Sequence, residues 1–113
     1  MSTAELRRMF QEDGIERRAA AGELTIRVLK SHDAKRSLNM PSGTQSQLIA
    51  YVDQDGTHIA EAHRYLRPDG ILDASGHADP KKLRRGDVIY QPWWGGSMGD
   101  RFLAATPEAE EPR

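Results

Sequence analysis

The chain predicts an α+β fold, with an N-terminal helical segment packed on a small antiparallel sheet of about four strands, and three features carry that prediction. Leu6, Met9 and Phe10 recur at helical spacing near the start. Gln47 to Arg67, QLIAYVDQDGTHIAEAHRYLR, reads as two strands folded back through a Gly-containing turn. Leu24 to Val28 and Asp87 to Gln91 show the composition of further short strands.

The helix is marked at its first turn. Ser2 followed by Glu5 fits a capping box, in which hydroxyl and carboxylate satisfy the free amides, so the helix starts near Thr3. Leu6, Met9 and Phe10 form its buried stripe. Nine residues at about 100° each carry Ile15 to the side opposite Leu6. Asp13-Gly14 is therefore an interruption, and a second helical piece runs from Ile15 to Ala21 with Gly22 as its stop.

Leu24, Ile26 and Val28 alternate with Thr25 and Arg27 and give the first strand. Ser31 to Thr44, SHDAKRSLNMPSGT, lacks either period and contains Pro41 and Gly43, so it reads as a long polar loop. Gln54-Asp55-Gly56 suits a three-residue hairpin connection that sets Asp53 opposite Thr57. A regular ladder then pairs Tyr51 with Ile59, Ile49 with Glu61 and Gln47 with His63. In that register Leu48, Ala50, Val52, Ala60, Ala62 and Leu66 lie against the helix. Ile49, Tyr51, Ile59, Gln45, Gln47, His63, Tyr65 and Arg67 take the other face. Arg67-Pro68-Asp69-Gly70 is a β-turn, Asp79-Pro80 opens a helical turn to Leu83, and Asp87 to Gln91 is the last strand, stopped by Pro92.

At 113 residues the chain suits one domain, placed at residues 1–104, with the Pro- and Glu-rich residues 105–113 as a disordered acidic tail. Without cysteine it has no disulfide, thiolate zinc site or Cys nucleophile. His32, His58, His63 and His77 show no metal-ligand spacing, and there is no Walker loop, GxGxxG or GxSxG, so no cofactor is expected. Charges occupy the start where a secretory signal needs an apolar run, and no stretch reaches membrane-span length, so a cytoplasmic protein without membrane contact is expected. A net charge of −1 argues against a uniformly basic nucleic-acid binder but permits a local basic patch.

The candidate site is the face carrying His63, Tyr65 and Arg67 at alternate positions, which joins an imidazole, a phenol and a fixed cation. The alternative is that Tyr65 packs, Arg67 pairs with Glu61 or Asp69, and His63 is merely solvated. Lys81, Lys82, Arg84 and Arg85 add a basic run that suits phosphate contact, although a plain solvated turn flanked by Asp79 and Asp87 is the commoner role for a run of this length. Trp93, beside Trp94 and two glycines, is either core or an exposed stacking or docking residue.

The leading expectation is a non-enzymatic binding module of bacterial type that uses His63, Tyr65, Arg67, Lys81, Lys82 and Arg85 to hold an anionic ligand or partner, RNA among them. Two further readings are a small, metal-independent, toxin-like ribonuclease with His63 and Tyr65 catalytic and Arg67 on the developing charge, and a protein adaptor centred on Trp93. An unpaired edge strand would allow a homodimer.

Overall fold

The computed structural model describes residues 1–92; Trp93, Trp94 and the tail expected at 105–113 lie outside them. Helix α1 (Thr3–Glu12) starts at the expected capping box, with Glu5 N donating to Ser2 Oγ at 3.0 Å and Ser2 N to Glu5 Oε1 at 2.8 Å. The Ser2 amide holds the Glu5 carboxyl below its usual range. Leu6, Met9 and Phe10 are its buried stripe. Gly14, at φ 62°, turns the chain into helix α2 (Ile15–Ala20). That break brings Ile15 back into the core, fully buried.

Five strands follow: β1 (Thr25–Asp33), β2 (Gln45–Val52), β3 (His58–Leu66), β4 (Asp79–Arg85) and β5 (Val88–Tyr90). They form one antiparallel sheet in chain order. Both helices cover one face. Leu6, Met9, Phe10, Ile15 and Leu24 pack there with Ile49, Tyr51, Ala60, Ala62, Ala78 and Leu83. Phe10 meets Tyr51 edge-on at 5.7 Å between ring centroids. Arg85 clamps the end of α1 through Asp13 at 2.8 Å and Glu12 at 3.3 Å, and Arg7 reaches Asp79 at 3.0 Å.

Two expectations about the elements change. The residues read as a helical turn, Asp79 to Leu83, are strand β4, because Leu83 pairs with Ala60 and is fully buried. Pro80, which has no ladder N–H to give, sits where the β3–β4 register shifts, one of the places a strand tolerates it. The sheet thus has five strands rather than about four. The long loop is also shorter, since Ser31, His32 and Asp33 extend β1 and pair with Gln47, Ser46 and Gln45. At this end polar contacts replace apolar alternation: Ser31 and Gln45 are 3.1 Å apart, Gln47 reaches Ser31 at 3.2 Å, Gln45 reaches Asp33 at 2.7 Å and Arg64 reaches Gln47 at 2.9 Å.

The hairpin register is shifted by one residue. Asp53 does face Thr57, as the turn predicts, with Asp53 N donating to Thr57 O at 2.9 Å. Val52 then pairs with His58 and Tyr51 with Ala60, which leaves Ile59 as a bulge. Beyond it Ile49 pairs with Ala62 and Leu48 with His63. Strand β2 therefore presents Ile49 and Tyr51 to the helices, not Leu48, Ala50 and Val52. Strand β3 keeps its expected faces, with Ala60 and Ala62 inward and His63 and Tyr65 on the uncovered side.

Candidate functional site

The ladder fixes what stands on the uncovered face, since directly paired residues share a face and neighbours along a strand alternate. One row across the strands is His32, Ser46 and Tyr65; the next is Lys30, Leu48, His63 and Asp79; the third is Arg27, Ala50, Glu61 and Lys82. Arg84, two residues beyond Lys82, shares that face and donates from Nε to the His58 carbonyl at 3.3 Å. A bulge at Leu29 is what places Arg27, Lys30 and His32 together on this side of β1.

His63 is the centre of this face. Its Nε2 lies 2.7 Å from Ser46 Oγ, and its ring meets Tyr65 edge-on with centroids 4.7 Å apart. Burial pushes the imidazole below its ordinary pKa; Lys81 and His32 push the same way, and Asp79 opposes them. His63 is thereby kept neutral and able to accept a proton. Asp79 in turn is raised by burial, but Lys81, at 3.1 Å, and Arg7 outweigh that and hold it low. Tyr51, on the covered face, is pushed up to about 12 by burial and by Glu16, and so stays a neutral phenol.

The candidate residues separate. His63 and Tyr65 are in contact, Lys81 disfavours charge on His63 but is itself held by Asp79 at 3.1 Å, and Lys82 stands on the same face opposite Glu61. Arg67 follows Tyr65 by one strand step but is tied to Asp69 at 3.3 Å, the pairing weighed as its alternative. Its Nε is buried without a partner among the described residues. Arg85 is on the opposite face, engaged with α1, because its pairing with Val88 follows the covered side of the ladder. Trp93 lies outside the described residues.

Sequence reasoning missed Ser46, His32, Lys30 and Arg27. His32 was hidden in the supposed loop, and Ser46 falls on the wrong face in an unbulged register. Arg27 was visible as an outward residue of the first strand, and it is the one signal that could have extended the face to β1.

Among the described residues no group of three or more His, Asp or Glu side chains could hold a metal ion, and no helix is long and apolar enough to cross a membrane. Searches of protein-family models, curated proteins and solved structures found no match to this chain.

Proposed function

We propose that the uncovered sheet face is a binding surface for an anionic ligand, and that single-stranded RNA is the class its chemistry suits. The observation that carries this reading is that Arg27, Lys30 and Lys82 stand together on one sheet face. On the helices Arg7 and Arg18 are paired with carboxylates, as is Arg85 against α1, while Arg8 and Arg17 have no ion pair among the described residues. On the uncovered face Arg27, Lys30 and Lys82 have no ion pair among the described residues, and the two carboxylates of its ladder are already engaged, Glu61 3.7 Å from His58 and Asp79 by Lys81 at 3.1 Å and Arg7 at 3.0 Å. A net charge of −1 does not reveal this grouping of three cations.

Cations alone favour any polyanion. Tyr65, His63 and His32 add ring faces and edges among the cations, and unstacked bases pack on such rings. A cytoplasmic location belongs to the same proposal. The exposed β1 edge offers a second copy somewhere to pair, but the Leu29 bulge and the protruding Arg27 and Lys30 oppose pairing, so the proposal concerns the face and not the edge.

Anisotropy of a labelled single-stranded RNA, titrated with the full chain at several salt concentrations, tests the reading. Binding that weakens with salt and with Arg27→Ala, Lys30→Ala and Lys82→Ala supports it. Binding indifferent to all three substitutions, or none at low salt, sinks it.

A further inference from the structure

We propose that the His32–Ser46–His63 end of this face is a metal-independent transphosphorylation site, at which His63 accepts a proton from a ribose 2′-hydroxyl and His32 donates one to the departing 5′-oxygen. The inference rests on the RNA-binding reading and adds a reaction to it. Two imidazoles stand on either side of one small residue. His32 pairs directly with Ser46 from β1, and His63 reaches Ser46 from β3 at 2.7 Å. Strand spacing and rise put the two histidine Cα atoms about 12 Å apart, a span that two imidazoles with one phosphodiester between them can bridge.

The ring nitrogens are assigned by their contacts. His32 Nδ1 lies 3.1 Å from the Asp33 carbonyl and donates to it, which leaves Nε2 as the ring nitrogen that faces a substrate. His63 Nε2 already faces a hydroxyl, and in the reactive complex the ribose hydroxyl takes the place of Ser46 Oγ. The half-buried setting and the nearby Lys81, which disfavour charge on His63, suit the base. Exposed His32 suits the acid.

The step balances without metal or oxidant. The 2′-oxygen forms a bond to phosphorus, the bond from phosphorus to the 5′-oxygen breaks, His63 gains one proton and His32 loses one. The products are a 2′,3′-cyclic phosphate and a 5′-hydroxyl, and exchange with water resets both rings. Lys30, one position from His63 across Leu48, is the cation on this row with no ion pair among the described residues, whereas Lys81 is held by Asp79 at 3.1 Å. Tyr65, edge-on to His63, is a positioning residue, and Arg67 is already engaged by Asp69.

The test uses the full chain in EDTA with a labelled single-stranded RNA and its all-2′-deoxy counterpart, read by gel and by mass spectrometry of the new ends. The expected result is cleavage of the RNA alone, a cyclic phosphate end, and a bell-shaped pH profile. His63→Gln and His32→Ala should each lower the single-turnover rate at saturating RNA by about 100-fold or more. Ser46→Ala should still cleave. RNA that binds and is never cut overturns the reaction and leaves the binding reading standing, whereas failure to bind either polymer overturns both. Cleavage undiminished in His32→Ala and His63→Gln also overturns the assignment.

Discussion

Replacing Arg27, Lys30 and Lys82 together with alanine should abolish most of the salt dependence of RNA binding. Each phosphate contact to a single strand contributes about 0.7 to the slope of log affinity against log salt. Three cations with no ion-pair partner therefore predict a slope of about −2, or a loss of about 20-fold in affinity between 50 and 200 mM salt. Each single alanine should remove about 0.7 of that slope, and the triple variant should approach a flat line. Arg27 and Lys30 lie on an exposed strand and Lys82 is exposed, so the substitutions should leave the melting temperature nearly unchanged. Arg85→Ala is the matched control, because it removes the same charge from the opposite face. The assay is fluorescence anisotropy over a salt series. If Arg85→Ala flattens the slope as much as Lys82→Ala does, binding follows overall charge and the sheet face is not the site.

Other outcomes test the fold and its protonation. Leu83→Ala, at a fully buried β4 position, should cost about 2–5 kcal/mol in denaturant unfolding, since a cavity would open under α1. Gly43→Ala should destabilise more than Gly56→Ala: both glycines sit at positive φ, 89° and 84°, but only at Gly43 would the new Cβ lie 2.9 Å from the Pro68 ring. Paired melts of the two variants decide it. The depressed His63 pKa makes the imidazole bind its proton more readily in the unfolded chain, so its contribution to stability is complete above about pH 6.5 and is lost as pH falls through the lower folded value. Melting temperature should drop as pH falls below about 6.5, and by less in His63→Gln.

The helical part of the fold was legible because its signals are local. Ser2, Glu5 and the Leu6–Met9–Phe10 stripe need no partner to be recognised, and Gly14 marks its own break. Strand β4 was not legible, since Asp79-Pro80 carries a local helix-start signal that only the pairing of Leu83 with Ala60 overrides. The His63 and Tyr65 half of the site was legible from β3 alone. Its other half was not: Ser46 and His32 join it through two bulges, at Ile59 and Leu29, and a bulge leaves no reliable mark in alternation. Lys82 and Arg85 look alike in sequence, and only the phase of β4 sends one to the uncovered face and the other to α1.

Ile59 acts as a spacer. A chain lacking it could still pair Val52 with His58 and Tyr51 with Ala60, so the distance from turn to imidazole can shrink by one residue without moving His63. Inserting one residue after Ala60 has no such slack, and would roll every later side chain of β3 through half a turn, delivering the imidazole to the core and alanine methyls to water.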